Sequence, residues 1–248
     1  MAITLGFESY AVLPFFLMFV AIYLSGYFVI FRNWSPKIRP EASSCLISFF
    51  HGTPAALLSS AAILSDPNRG FAAANTSFQK LVLDYSIAYF LTDLLHYLVF
   101  SPTDVLFIAH HLATLFVIAT CRHVVSHGAF AVLFLLLLAE VTSACQNAWT
   151  LSGLRRKEDP FAAKVYDALS PPFYVLYSVV RGFAGPYFVY EMVVFYASGR
   201  GDGLVPRWIW VSWVVVVLMA IAVSILWIWN LWVELYRDRT RKLQEKIR

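Results

Sequence analysis

Charged side chains are scarce in this sequence, and their scarcity excludes an ordinary soluble domain. Asp, Glu, Lys and Arg make up 14% of the 248 residues, whereas they make up about 25% of a typical globular domain. Hydrophobic residues make up 60% and aromatic residues 17%. A soluble fold could not bury that much apolar surface, so the composition predicts an integral membrane protein.

Cysteine is also rare, and the usual cysteine-based metal motifs are missing. The three cysteines, Cys45, Cys121 and Cys145, each lie inside or beside an apolar run, and no CxxC pair or Cys/His metal spacing occurs. We therefore expect three small buried thiols. We expect neither a metal ion nor a bound cofactor.

Long apolar runs are abundant, and their number sets the architecture. A helix that spans a bilayer needs about 20 mostly apolar residues. Seven candidate runs cover residues 10–31, 44–64, 80–100, 103–121, 128–150, 172–196 and 207–233. The sequence therefore predicts an all-α, polytopic transmembrane helix bundle of about seven spans. We expect a first helix and basic loop at 1–43, a six-helix core at 44–233 and a basic tail at 234–248.

Lys and Arg residues are distributed unequally between the two sides of the seven spans. Thirteen lie in the segments on one side, including six in the C-terminal tail, and five lie on the other side. Because positive residues accumulate on the cytoplasmic side, we expect a lumenal N-terminus and a cytoplasmic C-terminus. The sequon at Asn75 would then be lumenal and the one at Asn33 cytoplasmic. The pattern does not form a basic stripe, so we expect no nucleic acid partner.

Ionisable residues occur in five consecutive spans and fall at a similar depth. Counted from the same membrane face at about 1.5 Å per residue, each lies roughly 10–15 Å inside the bilayer. The five residues are His51, Asp93, His110, Glu140 and Arg181. A charged residue in a span costs about 2.5–3.5 kcal/mol, so each should face the bundle interior and a partner. The layer predicts a polar-lined chamber, although hydrogen bonds that only join helices would give a similar pattern.

Two adjacent histidines, His110 and His111, stand in this layer. An imidazole oriented by a carboxylate such as Asp93 can act as a general base at neutral pH. Adjacent helical residues diverge by about 100°, so one histidine can be the base, and the other would orient it, bind substrate or carry an acyl group. His96 follows Asp93 by three residues and is expected either at the chamber mouth or paired with that aspartate. Asn147 lies seven residues after a glutamate and shares its helix face.

Other chemistries for buried histidines remain open or are disfavoured by spacing. Membrane di-iron enzymes need several HxxxH and HxxHH boxes, and no such box includes His110 or His111. Haem ligation between facing helices would need a pair such as His51 and His110. A proton-coupled transporter also fits a polar layer at this depth. Asp84 falls near the opposite surface, where a structural or solvated role is expected.

Four short segments carry most of these residues in a fixed order. They are SFFHGTPA with His51, YFLTDLLHYL with Asp93, AHHLATLF with His110, His111 and Thr114, and LAEVTSACQNAW with Glu140 and Asn147. In content, order and spacing they resemble the TLC-domain family. That family includes ceramide synthases, translocation-associated membrane proteins and a neuronal ceroid lipofuscinosis protein of the endoplasmic reticulum (ER). The resemblance spans about residues 44–233.

The resemblance implies an ER bundle of six core helices around a lipid-facing chamber, with the first helix outside the ring. It also implies lipid substrates and, in the ceramide-synthase branch, acyl-CoA as co-substrate with a sphingoid base. His110 and His111 match the essential pair of that branch. The paired aspartates of the branch are missing here, where LFLLLLAE carries none. The sequence is therefore most similar to a small plant-type or lipid-regulator member.

Two functional hypotheses follow from the polar layer and the resemblance. In the first, the bundle binds an acyl lipid and transfers an acyl group from acyl-CoA to a lipid amine or hydroxyl. One of the two histidines would be the base, oriented by Asp93, while Arg181 would stabilise phosphate or oxyanion charge. The residues expected to bind lipid or substrate are His51, His96, Thr114, Glu140, Asn147 and Arg181. In the second, the chamber serves a non-enzymatic lipid sensor, membrane-composition regulator or trafficking adaptor; membrane lipids are the partners in both.

Overall fold

The structure is a computed structural model that describes residues 11–247, so the first ten residues of the predicted N-terminal segment and Arg248 lie outside the described residues. Within that range the regular structure is helical, apart from an isolated antiparallel bridge between Ala74 and His127. The all-α architecture expected from the apolar runs is confirmed.

Nine α-helices run through the described residues, and three of them lead into a short π-helix. The α-helices are α1 (Val12–Ser25), α2 (Arg39–Ser65), α3 (Ser77–Phe100), α4 (Val105–Ala119), α5 (Ala129–Glu140), α6 (Ser143–Arg155), α7 (Pro160–Val179), α8 (Gly185–Ala197) and α9 (Arg207–Ile247). The π-helices are Gly26–Ile30 after α1, Thr120–Val125 after α4 and Val180–Ala184 between α7 and α8. Joined end to end, these elements make seven long helical segments, as the apolar runs predicted.

Five of the seven segments are long and apolar enough to cross a membrane. They are Val12–Ile30, Arg39–Ser65, Val105–Val125, Ala129–Arg155 and Arg207–Arg241. The other two segments, α3 and the joined α7 and α8, are also helical but carry more polar residues, including Asp84 and Asp93 on α3. Together the segments form the predicted multi-pass bundle.

Helix α7 begins at Pro160, twelve residues before the apolar run at 172–196, because Asp159 caps its N-terminus. The Asp159 carboxylate accepts hydrogen bonds from the Phe161 and Ala162 amides at 2.8 and 3.4 Å. Pro160 then occupies the first turn, where its missing amide hydrogen costs nothing. The helix continues through the pair Pro171–Pro172, which does not end it.

Neither boundary of the predicted core at 44–233 is a break in the backbone. α2 already begins at Arg39, and α9 continues as one helix to Ile247. The predicted basic loop therefore ends inside a helix, and the basic tail extends α9 beyond the apolar part of the span.

Helix α2 contains a proline, and a neighbouring helix compensates for it. Pro54 lacks an amide hydrogen, so the carbonyl of Phe50 one turn earlier has no donor within the helix. The Tyr85 hydroxyl of α3 donates a hydrogen bond to that carbonyl. α2 therefore stays helical along its whole length and keeps His51 on its buried face.

The fifth predicted span is one segment, but its backbone is broken in the middle. α5 ends at Glu140 and α6 begins at Ser143, with a two-residue turn between them. The Arg181 guanidinium donates a hydrogen bond of 2.8 Å to the Ala139 carbonyl at the end of α5. A cation also suits the negative C-terminal end of a helix dipole. The break therefore places the glutamate beside an arginine from another segment.

The packed interior lies around α2, α3 and α5, and α1 and α9 also contribute large side chains to it. Ile47, Leu83 and Leu133 are fully buried there, as are Phe19 of α1 and Trp213 of α9. α1 packs on α2 and α3 and leaves most of its surface exposed; within Val12–Ser25, Phe19 is the buried residue. α1 thus covers one side of the bundle from outside.

A buried asparagine holds the connection between α2 and α3. Asn75 Nδ2 donates to the Cys121 carbonyl and Asn75 Oδ1 accepts from the Ala129 amide, both at 2.8 Å. These bonds fix the side chain between the ends of two other segments. A sequon exposed in the lumen was expected at Asn75, but the folded chain buries this side chain.

Candidate functional site

A single buried carboxylate, Asp93 of α3, gathers side chains from three helices. The Ser44 hydroxyl of α2 donates to Asp93 Oδ1 at 2.6 Å, and His111 Nε2 of α4 lies 2.9 Å from Oδ2. The Tyr89 hydroxyl, one turn earlier on α3, donates to Oδ2 at 3.4 Å. A carboxylate in an apolar bundle is costly unless it is paired and hydrogen-bonded, and these contacts provide both.

The imidazole of His111 has both ring nitrogens engaged. Nδ1 lies 2.8 Å from the Phe107 carbonyl, and Nε2 lies 2.9 Å from Asp93. A carbonyl oxygen only accepts hydrogen bonds, so Nδ1 carries a hydrogen and donates it. Nε2 then either donates to an ionised Asp93 or accepts from a protonated one. In both arrangements His111 and Asp93 share one proton, and neither ring nitrogen of His111 is free to contact a substrate.

His110 differs from its neighbour in its surroundings. The two rings stand nearly perpendicular, at 88°, with centroids 5.7 Å apart. His110 was expected to face the bundle interior and a partner, but it is exposed, and among residues 11–247 no hydrogen bond engages its ring nitrogens. The Arg181 charge is close enough to act on this imidazole. The structure therefore separates the pair into a clamped histidine, His111, and a free one, His110.

A second polar pair lies next to the first and is formed by His51 and Glu140. The His51 ring is fully buried and stacks on the Tyr89 ring, with centroids 3.9 Å apart and planes 4° apart. His51 Nε2 lies 3.1 Å from the Ser86 hydroxyl. His51 Nδ1 has no hydrogen-bond partner and lies 3.9 Å from Glu140 Oε1. Tyr89 thus separates the two pairs, with its ring against His51 and its hydroxyl against Asp93.

A glycine allows α2 to approach the break between α5 and α6 this closely. A Cβ atom at Gly52 would lie 2.2 Å from Ser143 Oγ and 2.7 Å from Glu140 Oε2. Real Cβ atoms do not come so near, so no larger residue fits at this position without moving a helix. Gly52 therefore sets the spacing between His51 and the glutamate.

The remaining candidate residues occupy different positions. Asn147 is buried and donates to the Ser48 and Ser143 hydroxyls at 2.9 and 3.1 Å, which joins it to the glutamate side of the layer. Thr114 is half-buried on the helix of the histidine pair. His96 does not pair with Asp93 but bonds the Tyr23 hydroxyl of α1 through Nδ1 at 2.9 Å.

Arg181 reaches the layer from the π-helix between α7 and α8. Besides the bond to the Ala139 carbonyl, its guanidinium lies over the Tyr177 ring, 5.5 Å from the centroid. Its Nε atom is buried without a partner. A π-helix adds one residue to a turn and often marks a functional site. This one directs a cation to the end of α5.

Three residues of the layer were not singled out from the sequence, although helical spacing could have found them. Ser44 precedes His51 by seven residues and lies on the same face of α2. Ser86 and Tyr89 precede Asp93 by seven and four residues and share its face of α3. Hydroxyl groups carry no signal of their own in a hydropathy profile, so only their register with the ionisable residues points to them.

A separate buried ion pair lies at the opposite end of the bundle. Arg122 donates two hydrogen bonds to the Asp84 carboxylate, Nε to Oδ1 at 2.9 Å and Nη2 to Oδ2 at 3.0 Å. Both residues are buried. The structural role expected for Asp84 fits this geometry, whereas Arg122 lies in the π-helix after α4 rather than in a solvated loop.

Among the described residues, no group of three His, Cys, Asp or Glu side chains could hold a metal ion. The His51 ring is enclosed by four aromatic rings, so a haem could not reach it without unpacking the helix. The enclosing residues are Phe19, Tyr85, Tyr89 and Phe90.

An apolar cavity of about 140 Å³ lies behind this enclosure, between α1, α2 and α3. It is lined by Phe15, Pro54, Leu58, Phe78, Leu81, Val82 and Tyr85. Tyr85 contributes one side of its ring to the cavity and lies 5.5 Å from the His51 ring centroid. The second polar pair therefore lies close to a space of hydrocarbon character.

A seven-segment helical bundle with two linked acid–histidine pairs in its interior defines a multi-pass membrane protein with a polar site among its spans. The TLC domain matches residues 41–233 of this chain. A TLC domain-containing protein of Arabidopsis thaliana is 61% identical over 255 aligned residues, which cover all of this chain and all of that protein. No solved structure matches the chain. The protein belongs to the TLC-domain family.

Proposed function

We propose that this protein binds an acyl lipid within the bundle and transfers an acyl group from acyl-CoA to a lipid amine or hydroxyl. The observation that carries the proposal is the difference in hydrogen bonding between the two adjacent histidines. His111 is clamped by Asp93 and a carbonyl, while His110 presents an unengaged imidazole beside it. A rigid, charge-paired neighbour and a free base are the parts that general base catalysis needs.

In this reaction His110 removes the proton from the lipid hydroxyl or amine while that group attacks the thioester carbonyl. A bond forms between the acceptor atom and the acyl carbon, and the carbon–sulfur bond of the thioester breaks. The imidazolium then returns the proton to the departing thiolate of CoA. Atoms and charges balance without a metal ion or an oxidant.

Two further residues support this chemistry by their positions. Asp93 and His111 hold α3 and α4 together, so the free imidazole stands on a fixed helix rather than on a loop. Arg181 acts electrostatically on His110, and its guanidinium would stabilise the negative charge that develops on the thioester oxygen. Asp93 is therefore a positioning residue, because it contacts His111 and not the free histidine.

The end of the bundle next to the loop at 31–38 suits a CoA substrate, and we refer to it as the basic end. It carries Arg32, Arg39, Arg155 and Arg156. The Arg155 guanidinium lies over the Trp34 ring at 5.1 Å, so this loop and the end of α6 meet on one surface. Side chains of α4 near His110, such as Leu106 and Leu112, are exposed and apolar and would contact an acyl chain. We place this end in the cytoplasm and the protein in the ER membrane.

The proposal is tested with purified full-length protein, radiolabelled acyl-CoA and a mixture of lipid amines and alcohols. We expect labelled lipid from the wild type and a loss of about a hundredfold or more in His110→Ala, since a general base contributes roughly 10²–10⁴-fold. His123→Ala is the matched control, because His123 is half-exposed at the other end of the bundle. Equal incorporation by wild type and His110→Ala would contradict the assignment.

A non-enzymatic lipid sensor, membrane-composition regulator or trafficking adaptor is the second candidate. It is favoured by the extent to which the polar residues bond to one another, as Asp93 with Ser44 and Asn147 with Ser48. A hydrogen-bonded network of this kind rigidifies the interior, and a rigid interior can hold a ligand without turning it over. The sensor predicts that intact lipid co-purifies with the protein and that labelled acyl groups are never transferred.

A further inference from the structure

Three buried polar atoms without a hydrogen-bond partner belong to residues that lie in or contact the break after α5. They are His51 Nδ1, Arg181 Nε and Thr142 Oγ1. His51 Nδ1 points to Glu140 Oε1, Arg181 bonds the carbonyl of the preceding residue, and Thr142 follows two residues later. Buried polar groups in native proteins are almost always paired, so unpaired atoms in the residues at this break, one of them facing a carboxylate, indicate a binding site.

The site is enclosed on the His51 side and reachable from the glutamate side. The His51 side chain has no exposed surface, whereas the Glu140 side chain keeps 13% of its surface accessible. Arg181 is only half-buried, and its charge also acts on the exposed His110. A ligand would therefore enter past Arg181 and end against His51.

The hydrogen-bond chemistry of the site selects the group that it holds. His51 Nε2 is 3.1 Å from the Ser86 hydroxyl. In the tautomer that accepts the hydroxyl hydrogen at Nε2, the ring hydrogen is on Nδ1, which faces Glu140. His51 Nδ1 and Arg181 Nε are then donors, while the Glu140 carboxylate is an acceptor. A group that fits between them must both accept and donate, and a hydroxyl does so.

The balance of charge disfavours ionised groups at the same place. A phosphate would meet the Glu140 carboxylate, and a protonated amine would meet Arg181 and the Nδ1 hydrogen of His51. A glutamate and an arginine together leave the site close to neutral, which suits an uncharged ligand in an apolar surrounding. A water molecule would also satisfy these atoms. A photoactivatable lipid probe separates the two cases, because it is cross-linked to the protein only where a lipid binds.

We propose that His51, Glu140 and Arg181 bind the free hydroxyl of a neutral acyl lipid, so that the ligand of the bundle is a lipid alcohol rather than a lipid amine or a phospholipid. This inference rests on the proposed function in one respect, namely that an acyl lipid occupies the bundle. It deepens that proposal by choosing between the amine and the hydroxyl classes.

The test uses three photoactivatable, clickable lipid probes with the same acyl chain and different head groups. A diacylglycerol carries a free hydroxyl, its analogue with an amino group in place of that hydroxyl carries an amine, and a phosphatidic acid carries a phosphate. Each probe is added in bicelles to the purified full-length protein. We expect the diacylglycerol probe to label the protein about tenfold more strongly than the other two, as loss of one buried hydrogen bond implies. Stronger labelling by the amine or the phosphate probe, or equal labelling by all three, overturns the inference.

Variants locate the labelling in the site. His51→Phe keeps the stack on Tyr89 but removes Nδ1, so labelling by the diacylglycerol probe should fall about tenfold. Glu140→Gln should lower it less, because the amide oxygen still accepts a hydrogen bond. Glu191→Gln on α8 is the matched control and should label like the wild type. The melting temperature of His51→Phe is measured in parallel; a folded variant with unchanged labelling overturns the inference.

The outcome is distinguishable from failure of the acyl-transfer proposal, because labelling measures binding of the lipid probe and acyl transfer is measured separately in the same variants. Selective labelling without turnover in any variant would support the hydroxyl site and remove the transferase. Turnover that depends on His110 together with preferential amine labelling would keep the transferase and remove the hydroxyl site.

Discussion

Replacing Gly52 with alanine tests how closely the helices must meet at the second polar pair. An added Cβ atom would lie 2.2 Å from Ser143 Oγ, 2.5 Å from Ser143 Cβ and 2.7 Å from Glu140 Oε2. The hydroxyl and the carboxylate can rotate away, but the Ser143 Cβ is fixed to its backbone. α2 must therefore move away from α6, and overpacking of this kind costs about 1–3 kcal/mol.

The assay is thermal unfolding of the purified protein in detergent, followed by tryptophan fluorescence. For a chain of this size about 1 kcal/mol corresponds to roughly 2–4 °C, so Gly52→Ala should lower the melting temperature by about 2–12 °C. Gly182→Ala is the matched control, since its Cβ atom would lie 3.6 Å from Ile228 Cδ1, an ordinary contact. That variant should melt at or slightly above the wild-type temperature.

A compensating change makes the test specific to this contact. Ser143→Gly removes both the Oγ and the Cβ atoms that the new methyl group would meet. The double variant Gly52→Ala/Ser143→Gly should therefore melt above the temperature expected from adding the two single effects. Additive losses, or a Gly52→Ala protein that melts with the wild type, would refute the reasoning from close approach.

Three further changes test other parts of the structure. Tyr85→Phe leaves the Phe50 carbonyl without a donor, so the free energy of unfolding should fall by about 1–3 kcal/mol. Adding Pro54→Ala supplies an amide donor to that carbonyl and should restore the free energy of unfolding. An unchanged free energy of unfolding in Tyr85→Phe would contradict this role of the Tyr85 hydroxyl. His96→Phe removes the bond to Tyr23 and should cost a few degrees of melting temperature while acyl transfer persists; lost transfer at unchanged stability would instead put His96 in the site. A C-terminal tag should be cut by protease added to sealed ER vesicles, and a protected tag would reverse the orientation.

The polar layer could be predicted from the sequence because depth along a helix follows from counting residues. The short connection between α3 and α4 allowed an aspartate and the histidine pair to be placed at one level. Counting residues from the ends of the two helices placed Asp93 at the level of His110, whereas in the structure Asp93 contacts His111. The difference arises because α4 begins only at Val105, which shifts each of its residues toward the basic end.

The features that escaped prediction depend on contacts between distant segments. The stretch LAEVTSACQ holds neither proline nor glycine, so no local signal predicts the break after Glu140; it coincides with a bond from Arg181, which is far away in the chain. The burial of Asn75 likewise depends on partners from two other segments. The pair of Arg122 and Asp84 also joins residues that are far apart in the chain.

The first helix lies outside the matched domain, yet it shields the interior. Phe19 of α1 sits against the His51 ring, with centroids 6.2 Å apart, and Tyr23 of the same helix bonds His96. A protein trimmed to residues 41–233 would expose one flank of its second polar pair to acyl tails. α1 therefore covers one side of the site, and a shortened protein that keeps the site intact has to include α1.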